Sequence, residues 1–335
     1  MAAPRSTGVL ATLLCMAAST TVEAQVDERL VTRRWKTDTF WAETYDKPLL
    51  TSKGELEETG DSIQLFHWDS EGRIKFDRKE LNPPVWLGYR AKTISIDSQS
   101  DVLDHTFSDV ALAVAVDLGS LGDDWSLAAG AGGGTANDGR WDNPDALFPV
   151  ATLEFTHRRP GGASPAWHLG MTLDGNRVVL PSVPLPYAMI EAKIDDSLDL
   201  LLGFPRTELI FRPFDPWIIT IQWAFPSQAS ARFEVDLGAG FSVFAEGARR
   251  IDAFHLRHEG RTRIFYAQNT AEVGFRWATP WIDVSLSFGM AFGQRFFTGD
   301  DLGDRTKGSG VEDLPFVALT FPSTFWAAPL SSDVR

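Results

Sequence analysis

The chain has 335 residues, a hydrophobic content of 44% and a mean hydropathy of -0.12. After the first two dozen positions it contains no apolar run of about 18 residues, so the sequence excludes a bundle of membrane-spanning helices. With 31 Lys and Arg against 45 Asp and Glu, the formal net charge is -14, which argues against nucleic acid as a partner because phosphate binding needs a basic stripe.

Residues 1–24 have the pattern of a secretory signal peptide. Arg5 supplies the positive charge, and Val9–Ala18 supplies a short apolar core. Val22-Glu23-Ala24 places small residues at the positions that signal peptidase requires, which predicts cleavage before Gln25. The alternative is a buried N-terminal helix. We expect export from a bacterial cytoplasm.

Cys15 is the single cysteine of the sequence, and it lies inside the predicted signal peptide. Leu14 precedes it, so the small residue of a lipoprotein cleavage site is absent and lipidation is not expected. The mature chain is therefore predicted to form no disulfide, no thiolate metal site and no cysteine nucleophile.

Residues 25–60 are polar and charged and show no sustained periodicity. We expect a loosely ordered lead-in here, lying either in the periplasm or in the mouth of the domain that follows. From residue 61 to residue 321 the pattern changes to segments of period two, separated by turn residues.

The period-two segments have one apolar face and one face of small or charged residues. In Ser108–Leu118, for example, Val110 and Leu112 alternate with Asp109 and Ala111. Several segments have the 9 to 11 or so residues that a tilted strand needs to cross a membrane, whereas strands of soluble proteins average about 5 or 6. The segment length therefore favours lipid over a soluble core as the environment of the apolar face.

Aromatic residues lie near the ends of many segments, where a membrane barrel carries its interfacial girdles. They are Trp125, Trp217, Trp223, Phe225, Trp277, Trp281 and Phe321. The opposite faces combine Gly and Ala with charged residues, as the interior of a barrel requires.

These features predict an all-β fold, a single antiparallel up-and-down transmembrane β-barrel over residues 61–321, with a C-terminal tail over 322–335. The candidate strands are Ile63–Trp68, Val85–Ile96, Phe107–Leu118, Trp125–Thr135, Val150–His157, Ala166–Leu173, Tyr187–Ile194, Leu198–Phe204, Glu208–Arg212, Trp217–Phe225, Ala231–Ala239, Phe241–Ala248, Arg263–Trp277, Trp281–Phe292 and Phe316–Phe321. Because short neighbours are expected to merge or to lie in loops, the prediction is about 12 strands, with 10 or 14 possible. A secreted soluble β-sandwich that acts as a binding module is the alternative.

The stretch from Ala188 to Gly299 resembles a bacterial outer-membrane β-barrel family of unknown function that is common in planctomycetes. The matching motifs are Leu202-Gly203-Phe204-Pro205, Phe211-Arg212-Pro213 and the run from Gly289 to Phe297. The resemblance implies a barrel in the bacterial outer membrane with no assigned substrate and no catalytic residues.

The C-terminus departs from the pattern of such barrels, which finish on an aromatic residue. The candidate closing strand Phe316–Phe321 is followed by Pro322 to Arg335. Either these last residues form a tail, or the strand extends to include Phe325 and Trp326.

No motif predicts chemistry. His255 and His258 are interpreted as a solvent-facing pair rather than metal ligands, because that spacing on a strand points them to opposite faces. The sequence has no G-x-S-x-G nucleophile motif, and the glycines of Gly130–Gly134 lack the Lys and Ser/Thr of a phosphate loop. We predict no catalytic residue, no metal and no cofactor, and a barrel-embedded lipid-modifying hydrolase is the least favoured alternative.

Charged residues on four successive predicted strands are expected to share the barrel interior. These lumen-lining candidates are Arg232, Glu234, Asp236, Glu246, Glu272, Arg276 and Asp283. They indicate either a conduit that selects small solutes by charge and width or a closed interior held by ion pairs. The predicted function is therefore passive permeation of small solutes or a structural role in the envelope. The expected partners are outer-membrane lipid and the barrel-assembly machinery, and the sequence does not identify a solute.

Overall fold

A computed structural model of the chain describes residues 40–76, 85–98, 103, 106–122, 124–157, 165–256, 262–279, 283–304, 306 and 308–326. The predicted signal peptide, His258 and Trp281 lie outside these residues. The strands are β1 Phe40–Thr51, β2 Gly54–Glu55, β3 Ser62–Phe76, β4 Val85–Ser98, β5 Thr106–Leu121, β6 Trp125–Asn137, β7 Leu147–His157, β8 Ala166–Asp174, β9 Leu185–Lys193, β10 Leu198–Phe204, β11 Arg206–Phe211, β12 Trp217–Ala224, β13 Gln228–Gly238, β14 Phe241–His255, β15 Arg263–Ala278, β16 Asp283–Gly299, β17 Gly308–Val311 and β18 Leu314–Trp326. A 3-10 helix covers Pro144–Ala146.

The sheet closes on itself. β1 pairs with β3 on one side and with β18 on the other, and every other wall strand is antiparallel to its neighbours. Of the 18 strands in the sheet, β2 and β17 are short additions in loops, which leaves 16 in the barrel wall. The all-β antiparallel barrel is confirmed, and the two-sheet sandwich does not fit a sheet that closes.

The prediction of about 12 strands is wrong, because neighbouring short segments do not merge. β10, β11 and β12 have only 7, 6 and 8 residues, yet each pairs with both neighbours as a separate wall strand. The other additional strand is β1, which begins at Phe40 inside the segment predicted to be a polar lead-in. This strand carries Thr44, Asp46 and Lys47 and lacks the apolar alternation of the others. Its Lys47 faces the interior, where it pairs with Glu272.

The last strand is longer than the candidate Phe316–Phe321. β18 continues to Trp326 and pairs with the start of β1, where Phe40 lies opposite Trp326. Of the two possibilities for closure, the structure therefore has the strand that includes Phe325 and Trp326. We call this end of the barrel the terminal end and the opposite end the far end.

The predicted alternation separates an interior from an exterior. Long apolar side chains on alternate positions are exposed on the outer surface, among them Leu112 and Val114 on β5, Leu169 and Met171 on β8, Val273 and Phe275 on β15, and Leu286 and Phe288 on β16. The position between the two members of each pair carries a small residue: Ala113, Gly170, Gly274 or Ser287. Among the described residues, no helix is long and apolar enough to cross a membrane.

The turn at Asp195-Asp196 connects β9 and β10 at the terminal end. Ile194 donates its amide to the Leu198 carbonyl at 2.9 Å, which closes the turn. The Asp195 carboxylate accepts from the Ser197 hydroxyl at 2.6 Å and from the Ser197 amide at 2.7 Å. These two hydrogen bonds lower the pKa of Asp195.

Aromatic rings cover glycines on the neighbouring strand at four places. In each pair the two residues lie directly opposite one another: Phe148 with Gly134, Tyr187 with Gly170, Phe244 with Gly274, and Phe316 with Gly289. A Cβ at Gly134 would lie 2.5 Å from Phe148 Cζ, so the ring occupies the space that a side chain would need. The last glycine of the run Gly130–Gly134 therefore lies beneath an aromatic ring of the next strand.

Candidate functional site

The interior of the barrel, which we call the lumen, is strongly acidic. Strand register assigns the inward face, because residues directly opposite in an antiparallel pair point the same way. The described inward carboxylates number fifteen and are Asp69, Glu71, Asp109, Asp117, Glu154, Asp174, Glu191, Asp199, Glu208, Glu234, Asp236, Glu246, Asp252, Glu272 and Asp283. The described inward Lys and Arg on wall strands number nine and are Lys47, Arg73, Arg90, Lys92, Lys193, Arg206, Arg232, Arg250 and Arg276. Arg212, one residue past the end of β11, also binds the inward Asp199, at 2.7 Å.

A network of ion pairs crosses the middle of the lumen. Lys92 on β4 lies 3.2 Å from Asp252 on β14, measured from Nζ to Oδ1. Arg250 on β14 binds Asp69 on β3 through two nitrogens, and its Nε is 2.6 Å from Asp252 Oδ2. β3 and β4 are not neighbours of β14 in the wall, so these side chains join two separate arcs of the barrel.

A second part of this network lies beside the first. Arg90 binds Asp109 on β5 at 3.2 Å and Asp174 at the end of β8 at 3.1 Å. Asn176 donates its side-chain amide to Asp109 at 3.1 Å and to the Ala253 carbonyl at 3.0 Å. We call the two parts together the cross-lumen network.

An apolar cluster lies between the cross-lumen network and the far end. Phe107 on β5 contacts Phe254 on β14 and Phe296 on β16, with ring centroids 5.3 and 6.1 Å apart. The other buried members are Leu56, Ile63, Leu65, Ile94, Ile96, Leu103, Ile264, Tyr266, Val311 and Leu314. They come from both arcs and from the far-end loops, so apolar side chains fill this part of the lumen.

The far end of β14 completes the closure. His255 forms a parallel bridge with Asn137 of β6, although these strands are not neighbours in the wall. The 175–184 loop packs against the same region, because Arg263 donates to the Arg177 carbonyl at 2.7 Å and Leu302 donates to the Val178 carbonyl at 3.0 Å. Burial lowers the pKa of Arg177, which is held by the Thr172 and Val183 carbonyls.

Five of the seven predicted lumen residues form one cluster near the terminal end. Arg232 contacts Glu234 at 2.9 Å and Glu246 at 3.4 Å. Arg276 contacts Glu234 at 3.2 Å and Asp283 at 2.6 Å. We call these five residues the terminal-end cluster, and it holds three carboxylates with two guanidinium groups.

The other two predicted residues lie apart from that cluster. Glu272 accepts from Lys47 Nζ at 2.6 Å and from the Ser287 hydroxyl at 2.7 Å. Asp236 accepts from the Gly238 amide at 2.7 Å, and it therefore stabilises the turn between β13 and β14.

Sequence reasoning missed a histidine cluster on β7, β8 and β9. His168 places Nδ1 3.1 Å from Glu154 Oε1 and Nε2 3.2 Å from Glu191 Oε2. Glu154 is buried and also accepts from the Tyr187 hydroxyl at 2.8 Å, while the Glu191 side chain is 49% exposed. The available signal was the alternation itself, which places Glu154 and His168 on the faces opposite their apolar neighbours.

Among the described residues, no group of three or more His, Cys, Asp and Glu side chains is arranged to hold a metal ion. In the histidine cluster both ring nitrogens of His168 face carboxylate oxygens, so hydrogen bonding occupies the atoms that would ligate a metal.

The outer surface carries aromatic side chains near the terminal end. Phe241 stacks on Trp277 with an angle of 13° between the rings, and Trp217 contacts Phe233 at 4.7 Å. Trp125 starts β6 at the same end and contacts His157 at 4.9 Å. The segment-end aromatics of the sequence thus include a band on the outside of the wall.

No protein-family model and no curated protein matches the chain. Among solved structures it is similar to OccK7 (OpdD) of Pseudomonas aeruginosa, with 10% identity, coverage of 87% of this chain and 100% of that one, and a TM-score of 0.33. It is also similar to OmpT, an outer membrane protein of Vibrio cholerae, with 10% identity, coverage of 88% and 100%, and a TM-score of 0.30. OprB of Pseudomonas putida is similar as well, with 9% identity, coverage of 85% of this chain and 94% of that one, and a TM-score of 0.30. The fold is assigned from the strand pairing, and the family resemblance of the second half stays a prediction.

Proposed function

We propose that this chain is an integral β-barrel of the bacterial outer membrane that lets small solutes pass through a charged lumen. The observation that supports this proposal is a closed wall of 16 strands that is apolar outside and encloses a charged interior. A barrel of 16 strands is wide enough for an aqueous channel. In this proposal residues 1–24 direct export, and the barrel-assembly machinery inserts the mature chain.

The outer surface supports the membrane part of the proposal. Val273, Leu112 and Phe288 are 62%, 53% and 58% exposed. In water, exposed apolar area of this kind costs about 25 cal/mol of free energy for each Å². A closed sheet also leaves no unpaired strand edge in the hydrocarbon. Aromatic side chains near the terminal end, such as Trp277 and Phe241, fit the depth of the lipid headgroups.

Solutes can pass through the interior only when the cross-lumen network and the apolar cluster separate. Charged side chains line the terminal-end half, and Glu191 and Arg276 are partly open to water there. Toward the far end, the cross-lumen network and the apolar cluster occupy the lumen. We therefore expect small, infrequent conductance rather than the steady current of a wide pore.

A structural role in the envelope is the second candidate function. The filled far end favours it, because a purely structural barrel gains from packing its interior with apolar side chains such as Phe107 and Phe254. In this case the closed state is the working state, and no solute passes.

Substitution on the outer surface tests the membrane part. Val273→Arg places a charge among exposed apolar neighbours and is expected to cost about 2–4 kcal/mol if that position meets the bilayer core. Val273→Leu is the matched control and is expected to insert normally. Outer-membrane fractionation and heat-modifiable migration on a gel report insertion. Recovery of the unmodified protein as a soluble species without detergent would refute the membrane assignment.

Planar-bilayer recording tests passage. Wild type is compared with Phe254→Ala, which removes an aromatic ring from the apolar cluster while leaving the charged lumen unchanged. Passage predicts rare current steps from wild type and more frequent steps from the variant. Silence from both, with each correctly folded by heat-modifiability, would leave the structural role as the function.

A further inference from the structure

We infer that the lumen selects cations over anions, an inference that rests on the proposed passage of solutes and names their charge. The first support is the imbalance of the interior. Fifteen described carboxylates face the lumen, against nine Lys and Arg on wall strands and Arg212, which binds Asp199 from just past the end of β11. Among described residues, full pairing of every base would still leave a surplus of negative charge, even with His67 and His168 both protonated.

The second support is the placement of carboxylates beside one another. Glu246 on β14 lies directly opposite Glu272 on β15, and both point into the lumen. Like charges directly opposite in a sheet destabilise it. Lys47 on β1 binds Glu272, and Arg232 on β13 binds Glu246, so the two carboxylates are neutralised by side chains from two separate strands.

A similar row crosses β9, β10 and β11. Leu201 pairs with Glu191 on one side and with Glu208 on the other, which puts two carboxylates on one line of the inner wall. Arg206 binds Glu208 at 2.6 Å, and His168 is shared between Glu191 and Glu154. In the terminal-end half, the carboxylates of each ion-pair cluster therefore equal or outnumber the cationic side chains that bind them.

The exposure of Glu191 shows where a solute meets this charge. Its side chain is about half open, whereas that of Glu154 on the same histidine is 2% exposed. A solute cation in the terminal-end half would meet Glu191 without breaking the buried part of the histidine cluster. An anion there would approach a surplus of carboxylates, which raises its energy.

Reversal potentials across a KCl gradient measure the selectivity. We expect wild type, or Phe254→Ala where wild type opens too rarely, to prefer potassium over chloride. The preference should fall as KCl rises from about 0.1 M to 1 M, because the screening length falls from about 10 Å to about 3 Å.

Removal of single lumen charges tests the assignment to named residues. Glu191→Gln and Glu246→Gln should each lower the potassium-to-chloride permeability ratio about twofold, the effect of one charge acting across about 10 Å of water. Asp304→Asn removes the same charge from the exposed loop between β16 and β17 and should leave the ratio unchanged. Heat-modifiability confirms folding, and the exposed Glu191 keeps the test valid if Glu246→Gln fails to fold.

The outcomes separate the inference from the proposed function. Current with no preference or with a preference for chloride overturns cation selectivity and leaves passage intact. An equal change in Asp304→Asn and Glu191→Gln overturns the role of the lumen residues. Absence of current from both wild type and Phe254→Ala overturns passage, and cation selectivity with it.

Discussion

Asp252 on β14 binds Lys92 on β4 across the lumen, with 3.2 Å between Oδ1 and Nζ, and both side chains are nearly buried. The second oxygen of the same carboxylate accepts from Arg250, which in turn holds Asp69 on β3. One carboxylate therefore connects two cations, and through them it ties β14 to the opposite arc of the wall. Removal of Asp252 should affect both the stability and the closure of the barrel.

We expect Asp252→Asn to lower the free energy of unfolding by about 3 kcal/mol, because breaking one side of a buried ion pair leaves its partner uncompensated. Lys92→Met combined with Asp252→Asn should lower it less than Asp252→Asn alone, since the unpaired ammonium is then absent. Urea unfolding in lipid vesicles measures both. If the double variant is the less stable of the two, the ion pair is not what holds the arcs together.

A disulfide should lock the far end. Asn137 and His255 form a bridge between non-neighbouring strands, and Cα atoms at such positions lie within the separation of about 4.4–6.8 Å that a disulfide spans. Asn137→Cys combined with His255→Cys should abolish current steps under oxidising conditions, and reduction should restore them.

Each single cysteine variant is the control for this lock and should be insensitive to reductant. The sequence has no other cysteine beyond Cys15, which lies in the predicted signal peptide, so no competing pair is expected. Unchanged current from the oxidised double variant would mean that passage does not require this bridge to separate.

Local pattern predicted the wall of this barrel well. Alternation in segments such as Ser108–Leu118 identified which face is apolar, and every candidate strand overlaps one strand of the wall. The count failed because β10, β11 and β12 are separate strands and because β1 was not recognised. Lys47 of β1 is neutralised by Glu272, which lies 225 positions away in the sequence. No local pattern contains that information.

The candidate site was predicted in part for the same reason. The alternation of side-chain direction along β13 to β16 predicted that seven charged residues face the lumen. Five of them meet in the terminal-end cluster. The cross-lumen network was not predictable, since contacts such as Arg250 to Asp69 join strands that share no hairpin. Which arcs of a closed sheet touch depends on its overall curvature, and sequence periodicity does not report that.

His67 on β3 is buried in the lumen, and neither of its ring nitrogens has a hydrogen-bond partner among the described residues. Its ring packs against Tyr266, with centroids 5.1 Å apart. His67→Phe keeps the ring contact and removes two unsatisfied polar atoms, so it should raise the free energy of unfolding by about 1 kcal/mol. His67→Ala should lower it by creating a cavity. If His67→Phe unfolds at lower urea than wild type, the histidine makes a hydrogen bond to water that the phenyl ring cannot replace.

The Phe244 ring on β14 covers Gly274 on β15 and also supports Arg232, whose guanidinium lies 3.6 Å from the ring centroid. A Cβ at Gly274 would lie 2.3 Å from Phe244 Cζ, so Gly274→Ala must displace the ring. We expect a loss of about 1–3 kcal/mol in the free energy of unfolding, the usual cost of overpacking. Gly247→Ala on β14 is the matched control, because a Cβ there meets only the Thr270 carbonyl at 3.9 Å. Urea unfolding of both variants in vesicles should show a shift for Gly274→Ala alone, and equal midpoints would mean that the ring moves aside at no cost.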